Sequence, residues 1–318
     1  MNKEVFNQLV KDFESAKDKE NNSLAIHALL IKDSKVYLHH FRKDSKISDV
    51  RSLSKTSLTL AFGRLMELAT EGHYPKIDEE SKIYPILKDQ LELTNKENID
   101  KVKKIKVKHL LTHTIGFEKV LMMRGDIESI DSKDYLNYIL NEPILHEPGD
   151  YYLYSNAGFY LLSALMEEFI QEDLTSFLKR EFFSHLGIKE FTWEKYGNYL
   201  AGATRLWLGP EDLLKIAELF LNKGKIADEA FISNDWLEKM TTKRVDTKGL
   251  DSEYSTFKRS AYAYGIWLGE KDFYFGHGTA GQRMIILPEK EMILITLADQ
   301  RDTQVLDELI DQLLGKYI

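Results

Sequence analysis

The chain has 318 residues, of which 43% are hydrophobic and 30% charged, and its formal net charge is −8. This balance is typical of a folded globular protein, and the acidic surplus argues against a general nucleic-acid binder, which needs extra Lys and Arg. The sequence contains no cysteine, which excludes disulfides, thiol chemistry and cysteine-bound metals.

The N-terminal thirty residues carry scattered charges and lack the apolar core of a signal peptide. No stretch approaches the about 18 apolar residues that a membrane span requires. As given, the sequence therefore predicts a cytoplasmic protein without a membrane span, or a cell-surface protein if a leader was removed. It does not indicate an oligomeric state.

Strand-like segments are concentrated at the two ends of the chain. An amphipathic helix with an apolar face at Val5, Phe6, Leu9, Val10 and Phe13 comes first. Two strands follow at 24–31 and 36–41 and form a hairpin. Near the other end, strands are predicted at 261–268, 273–276, 283–287 and 292–298, and a final helix covers about 305–314.

The segment between these ends is mainly helical. Its clearest helices are predicted at 132–140, 157–170, 174–183 and 210–221, the last of which opens with a proline. We therefore predict an α+β fold, in which an antiparallel sheet from both chain ends, flanked by terminal helices, carries a helical insertion. The prediction is one catalytic domain over 1–318, with a sheet lobe (1–50 plus 255–318) and a mainly helical lobe (51–254).

The motif Ser-x-x-Lys occurs three times, at 52/55, 176/179 and 255/258, so at least two occurrences are coincidental. Ser52 stands out because it heads an apolar helical run that ends at Gly72. A serine and a lysine three apart on a helix share one face, so the amine can reach the hydroxyl and favour an acylatable alkoxide. The simpler interpretation is a capped core helix with an exposed lysine.

Tyr154-Ser155-Asn156 follows a Pro-Gly turn and precedes a predicted helix. A tyrosine near an ammonium group can act as a general base, and an amide such as that of Asn156 can orient a substrate carbonyl. The alternative is a buried tyrosine followed by an asparagine that caps the helix.

The glycine-rich stretch from Gly276 to Gln282 lies between two predicted strands and contains His277. Glycines allow close backbone approach, and a strand N–H in such a place can stabilise an oxyanion. His277 can donate to a substrate or to the tyrosine oxygen, or it can be an ordinary turn histidine.

His109 and His113 are four residues apart on a predicted helix, which raises the question of a metal site. No glutamate stands between them in the zinc-protease pattern, and no third ligand is evident nearby. A structural role is therefore favoured, and we predict neither a metal nor an organic cofactor.

Taken in order, four segments resemble the serine β-lactamase-like superfamily, in particular class C β-lactamases and penicillin-binding-protein-related serine hydrolases. The resemblance runs from about Leu24 to Ala298. It is carried by 49–55 (Asp-Val-Arg-Ser-Leu-Ser-Lys), 110–116 (Leu-Leu-Thr-His-Thr-Ile-Gly), 147–149 with 154–156, and 276–282 (Gly-His-Gly-Thr-Ala-Gly-Gln). The first and last of these resemble most closely the esterase and 6-aminohexanoate-dimer hydrolase branch.

The resemblance implies a β-lactamase/transpeptidase-like fold and a role for each matched residue. Ser52 would be the acylated nucleophile, Lys55 and Tyr154 the proton-transfer pair, and Asn156 a substrate contact. His277 stands where other members carry the lysine of Lys-Thr-Gly. The oxyanion hole would combine the Ser52 N–H with one from the 277–280 strand, where Gly278, Thr279 and Ala280 are the substrate-binding candidates.

Two departures from the family pattern matter for the chemistry. The threonine after the histidine comes one residue early, so either Thr279 or Ala280 can supply the second oxyanion donor. The Glu-x-x-Leu-Asn motif of class A enzymes has no match, because Asn137 occupies the place of the glutamate before Leu140-Asn141. Deacylation would then depend on Tyr154, Lys55 and His277.

The function predicted from the sequence is a serine hydrolase that uses a Ser-Lys-Tyr acyl-enzyme mechanism on a small ester or amide. The alternatives are a D-alanyl carboxypeptidase or esterase acting on D-amino-acid peptides, a weak β-lactamase, or a non-catalytic binding or sensor module on the same fold. Substrate choice is expected to depend on the loops at 121–132 and 241–259.

Overall fold

A computed structural model describes residues 1–43, 46–130, 133–247, 259–270 and 272–316. The strands of these residues are β1 (Ile26–Lys32), β2 (Val36–His40), β3 (Ser48–Asp49), β4 (Thr192–Trp193), β5 (Lys195–Tyr196), β6 (Tyr199–Leu200), β7 (Leu206–Leu208), β8 (Lys225–Ile226), β9 (Glu229–Ala230), β10 (Val245–Asp246), β11 (Ala261–Tyr262), β12 (Trp267–Leu268), β13 (Tyr274–His277), β14 (Arg283–Leu287) and β15 (Met292–Ala298).

The helices of the same residues are α1 (Lys3–Ser15), α2 (Leu53–Thr70), α3 (Tyr84–Leu87), α4 (Ile99–Val102), α5 (Val107–Leu111), α6 (Arg124–Ser129), α7 (Tyr135–Asn141), α8 (Ala157–Ile170), α9 (Leu174–Leu178), α10 (Pro210–Leu221), α11 (Asn234–Thr241) and α12 (Gln304–Leu314). Short 3-10 turns occur at Lys88–Gln90, Lys96–Asn98 and Pro288–Lys290, and a π-helical turn at Lys179–Phe183.

Eight strands form one antiparallel sheet in the order β10-β11-β12-β13-β14-β15-β1-β2. The two chain ends meet near one edge of the sheet, where β1, the strand next to the edge strand β2, pairs with β15 from Ile26↔Ala298 to Lys32↔Ile293. Every residue of β14 and β15 is buried, as expected for sheet strands that are covered on both faces. The predicted α+β fold with an antiparallel sheet from both chain ends is therefore confirmed.

The structure corrects several element boundaries. The predicted strand at 261–268 is two short strands, β11 and β12, because the chain reverses at 263–266, where Gly265 has a φ of +72°. The helix predicted at 174–183 ends at Leu178 and continues as the π-helical turn. Val5 is 42% exposed rather than part of the buried face of α1. The helix predicted from Ser132 starts at Tyr135, and Ser132 itself lies outside the described residues.

The chain divides into two compact units. Unit 1 contains Met1–Leu53, Trp207–Ala230 and Asn234–Ile318, and unit 2 contains Ser54–Leu206 and Phe231–Ser233. Segment 207–230, which the sequence assigned to the helical lobe, belongs to unit 1 because α10 packs on β1, β14 and β15. Strand β10, from the same predicted lobe, extends the edge of the sheet.

Within unit 2, helix α8 is the central element and packs against α3, α5, α7 and α9. Gly158 allows its close approach to α5, since a Cβ there would lie 2.5 Å from the Leu110 carbonyl oxygen. This contact fixes the residues just before α8 beside the end of α5. Within the described ranges, no helix combines the length and apolar character needed to cross a bilayer.

Candidate active site

Ser52 lies in a tight turn that leads directly into α2. Arg51 has a left-handed φ of +53°, its N–H donates to Asp49 Oδ1 at 2.9 Å, and its guanidinium lies 3.3 Å from the same carboxylate. The N–H of Leu53 then donates to the Val50 carbonyl at 3.1 Å. A non-glycine residue in a sparsely populated region of φ/ψ must be held by its surroundings, and such residues cluster at functional sites.

Lys55 is the third residue of α2 and is only 1% exposed. Its ammonium donates to Asn156 Oδ1 at 2.8 Å and to the Ala203 carbonyl at 3.4 Å, and it lies 4.8 Å from the centre of the Tyr154 ring. Burial lowers the pKa of Lys55, and the Tyr154 phenol partly opposes this shift. The interpretation of a capped helix with an exposed lysine is therefore wrong, because the Lys55 side chain is buried.

Asn156 bridges Lys55 to a neighbouring loop, and although it occupies the N-cap position of α8, its side chain does not cap the helix. Its Oδ1 accepts from Lys55, and its Nδ2 donates to the Met122 carbonyl at 3.0 Å. The helix is instead capped by Ser155, whose Oγ accepts from the Ala157 N–H at 3.0 Å. Asn156 thus stands at the predicted N-cap position without a side-chain cap bond, because its amide binds Lys55 through Oδ1 and Met122 through Nδ2.

Tyr154 packs against His113, with ring centres 4.4 Å apart. His113 is 4% exposed, contacts Phe159 at 5.4 Å between ring centres, and has a left-handed φ of +58°. It lies beyond the end of α5, so it is not on one helical face with His109. His109 accepts from the Lys106 N–H at 3.1 Å. Across the described residues, no three His, Asp or Glu side chains converge on a possible metal position.

The buried His113 predicts a specific acid sensitivity. Burial, with a smaller contribution from Lys55, lowers the pKa of His113 well below its ordinary value. The folded protein therefore holds a neutral imidazole, whereas the unfolded chain binds a proton once the pH falls below about 6.5. The stability that this residue contributes is present above that pH and is lost as the pH falls toward the folded pKa.

We expect His113→Asn, which tolerates a positive φ, to reduce the slope of the free energy of unfolding against pH by up to about 1.4 kcal/mol per pH unit below about pH 6.5. Urea unfolding at several pH values measures that slope. His73→Asn is the control, because the His73 side chain is 63% exposed. An unchanged slope in His113→Asn would contradict the prediction.

In unit 1, the turn after β13 lies against the residue that precedes Ser52. A Cβ on Gly278 would stand 3.0 Å from the Arg51 Cβ and 2.8 Å from the Gln282 Cβ. The Gly278 N–H donates to the Gln282 carbonyl at 2.8 Å. Within unit 1, the Gly278 backbone therefore lies close to the Cβ of Arg51, the residue before Ser52.

The N–H groups of this turn are used unequally. That of Ala280 donates to Gln282 Oε1 at 3.1 Å, and that of Gly281 donates to the Gly278 carbonyl at 3.4 Å. Of the N–H groups at 278–281, only that of Thr279 has no acceptor among the residues that the structure describes. Thr279 is also exposed.

His277 ends β13 and pairs in register with Arg283 of β14. Its side chain is partly buried. Burial and the charges of Arg283 and Arg259 lower the pKa of His277 well below its ordinary value. A neutral imidazole can both donate and accept a hydrogen bond.

The remaining sequence candidates lie elsewhere. Ser176 and Lys179 are exposed, and Ser176 Oγ donates to Asp173 at 3.1 Å, while the pair 255/258 lies outside the described residues. Asn137, which stands at the place of the class A glutamate in the sequence, makes a structural contact. Its Oδ1 accepts from the Glu92 N–H at 2.7 Å, and it holds the loop that precedes α4.

The structure thus brings together Lys55, Tyr154 and Asn156 in unit 2, and the Ser52 flank with 277–280 in unit 1. Sequence reasoning missed His113 as a packing partner of the tyrosine, and it missed Arg283 beside the turn. The signal for Arg283 was a charge at the head of an otherwise apolar strand, Arg-Met-Ile-Ile-Leu.

A sequence model of the beta-lactamase family matches residues 10–315. Protein flp of Staphylococcus aureus (strain NCTC 8325 / PS 47) is 26% identical over 202 residues, which cover 58% of this chain and 39% of that protein. The chain therefore matches less than half the length of this curated relative.

Among solved structures, EstCE1, described as a hydrolase with promiscuous acyltransferase activity, superposes with a TM-score of 0.71 at 15% identity, covering 98% of both chains. A Bacillus anthracis protein described as a 6-aminohexanoate-dimer hydrolase gives 0.70 at 15% identity, over 98% of this chain and 82% of that one. A penicillin-binding protein from Bacillus halodurans gives 0.69 at 16%, over 98% and 99%. These likenesses show the shared fold, and the sequence match over 10–315 shows that the chain belongs to the beta-lactamase family.

Proposed function

We propose that the protein is a serine hydrolase that cleaves small esters or amides through an acyl-enzyme on Ser52. The observation that carries the proposal is the buried Lys55, whose pKa is lowered by burial and whose ammonium is held by Asn156 beside Tyr154. Burying an amine costs free energy. A role of Lys55 as the base for Ser52, three residues away, explains why the chain keeps an amine in this buried position.

The reaction follows from these groups. The Ser52 hydroxyl gives its proton to the neutral amine of Lys55, or to Tyr154 in its phenolate form, as Oγ bonds to the carbonyl carbon. The proton then passes to the leaving alcohol or amine as the scissile C–O or C–N bond breaks. A water, deprotonated by the same pair, attacks the acyl-enzyme, and the acid departs as Ser52 regains its proton. Neutral His277 is available to donate to the substrate.

For the oxyanion, we propose the N–H groups of Ser52 and Thr279. Ala280 is the weaker candidate because its N–H is already bound to the Gln282 side chain. A preorganised donor of this kind contributes roughly 3–4 kcal/mol to stabilisation of the transition state. Gly278 allows the close approach of the backbone, since a Cβ there would lie 2.8 Å from the Gln282 Cβ and 3.0 Å from the Arg51 Cβ.

Among substrates, a small ester or amide is the first choice, in line with the fold shared with EstCE1. A D-alanyl peptide or ester is the second, since penicillin-binding proteins share the same fold, and weak β-lactamase activity is the third. The loop at 121–123 contributes to substrate choice through Met122, whose carbonyl binds Asn156. A non-catalytic sensor module would have no use for the buried amine.

A fluorophosphonate probe with intact-mass detection tests the proposal. We expect one adduct per chain on the wild type, and no adduct would refute the hydrolase proposal. A panel of p-nitrophenyl esters, nitrocefin and D-Ala-D-Ala peptides then ranks the substrates, with esters expected to turn over fastest. Faster turnover of nitrocefin than of every ester would contradict the proposed order.

A further inference from the structure

Arg283 is a fully buried cation, with 0% exposure, at the start of the central strand β14. All its donors are used. Nε and Nη2 bind the two oxygens of Asp307 on α12, each at 2.8 Å, and Nη2 also reaches Thr303 Oγ1 at 3.4 Å. Such a bidentate pair has a fixed geometry, so the plane of the guanidinium is set by the C-terminal helix.

The other end of the guanidinium holds the turn that follows His277. Nη1 donates to the Gly278 carbonyl at 2.6 Å and to the Gln282 carbonyl at 3.0 Å. Gly278 and Gln282 are also joined by a backbone hydrogen bond of 2.8 Å. A buried ion pair that only fixed α12 to the sheet would not need contacts with both carbonyls of this turn.

The contact with Gly278 determines where the next N–H points. In a trans peptide, the carbonyl of one residue and the N–H of the next point in opposite directions. Because the Gly278 carbonyl faces Arg283, the Thr279 N–H faces away from it. The Gly278 backbone also packs closely against the Cβ of Arg51, the residue that precedes Ser52.

We propose that Arg283 and Asp307 form a positioning pair that aims the Thr279 N–H at the oxyanion formed on Ser52. The pair touches neither substrate nor reacting atoms, and it acts through the Gly278–Thr279 peptide. This inference rests on the proposed acyl-enzyme function. It makes the C-terminal helix part of the catalytic machinery of the chain, through Asp307.

The decisive variant is the double substitution Arg283→Met with Asp307→Leu. Replacing a buried ion pair by apolar residues of similar size often leaves the stability of the fold unchanged or increases it. This variant is therefore expected to fold, while it loses the hydrogen bond from Arg283 to the Gly278 carbonyl. We expect kcat to fall about 10- to 100-fold, because a misplacement of about 1 Å can cost that much, with KM changed less than about 2-fold. Arg283→Lys, which keeps the charge but loses the planar guanidinium with its paired donors, is also expected to lower kcat.

A matched pair of ester and thionoester substrates gives a measurement that a purely structural role would not change. Sulfur accepts hydrogen bonds weakly, so a well-aimed N–H favours the oxygen ester. The ratio of kcat/KM for ester over thionoester is expected to fall about 10-fold in the double variant. A purely structural loss would lower both rates together and leave the ratio unchanged.

Active-site titration with the fluorophosphonate, carried to completion, counts the folded enzyme in every sample. Arg64→Met is the control, because Arg64 also pairs with a carboxylate, Glu71, and a backbone carbonyl, that of Phe231, but in unit 2. Arg64→Met is expected to keep the wild-type kcat and the wild-type ratio of kcat/KM for ester over thionoester. A double variant with full titre, unchanged kcat and an unchanged ratio would overturn the positioning role, whereas an untitratable wild type would refute the hydrolase proposal itself.

Discussion

We expect Ser52→Ala to eliminate the fluorophosphonate adduct and to lower kcat/KM for esters by about 10⁴-fold or more, the size seen when a catalytic serine is removed. The alanine removes the only atom that can carry the acyl group in the proposed mechanism. The turn at 49–53 is held by Asp49, Arg51 and backbone bonds that do not involve the Ser52 hydroxyl. Its geometry should therefore be preserved.

Ser176→Ala is the matched control for this experiment, because Ser176 also stands three residues before a lysine but is exposed and bound to Asp173. It should retain the full adduct and the full rate. Intact-mass detection and ester kinetics on the same samples give both results. An adduct that persists in Ser52→Ala and disappears in Ser176→Ala would transfer the nucleophile to the second motif.

Lys55→Met is expected to lower kcat/KM by about 10³- to 10⁴-fold, within the range ascribed to general acid–base catalysis. Methionine fills a similar volume without an amine, so the nucleophile loses its proton acceptor while α2 keeps its packing. Because burial lowers the pKa of Lys55, the wild type should gain kcat/KM with rising pH along a limb centred below the ordinary lysine value. That limb should be absent from the residual activity of Lys55→Met.

The same substitution has a signature in stability. The folded lysine releases its proton at a lower pH than the unfolded one, so between the two pKa values the unfolded chain binds more protons. The stability contributed by Lys55 is therefore complete above the unfolded pKa and is lost as the pH falls toward the folded pKa. The free energy of unfolding of the wild type should rise relative to that of Lys55→Met by up to about 1.4 kcal/mol per pH unit in this window. Parallel curves for the two proteins would contradict a lowered pKa.

Much of the fold can be predicted from local sequence signals. Helices 157–170 and 210–221 agree with the structure at both ends, because Pro210 and the acidic first turn mark the start of α10, and an apolar run defines α8. The prediction of one strand at 261–268 is wrong because the chain turns at Gly265. Hydrophobic periodicity does not reveal a single reversal of chain direction within a strand-like segment.

The candidate site is less accessible to sequence reasoning. The types and spacing of Ser52, Lys55, Tyr154 and His277 indicate acyl-transfer chemistry. The burial of Lys55 depends on the tertiary structure, so the sequence does not show it. Nothing local indicates that Lys55 is enclosed by Asn156 and the Ala203 carbonyl, more than 100 residues away. The use of the Ala280 N–H by Gln282 likewise depends on the shape of a turn in which Arg283 binds the Gly278 carbonyl.

The pairing of β1 with β15 also has a consequence for the order of folding during synthesis. Residue 26 cannot meet residue 298 until the chain has been synthesised through residue 298, and such distant contacts form slowly because a very large loop must close. Unit 2 is nearly continuous in sequence, from Ser54 to Leu206, so the lysine, tyrosine and asparagine are expected to assemble first. The sheet and the turn at 277–280 follow last, so a chain not yet synthesised through residue 298 would hold the proposed base without the proposed oxyanion donor.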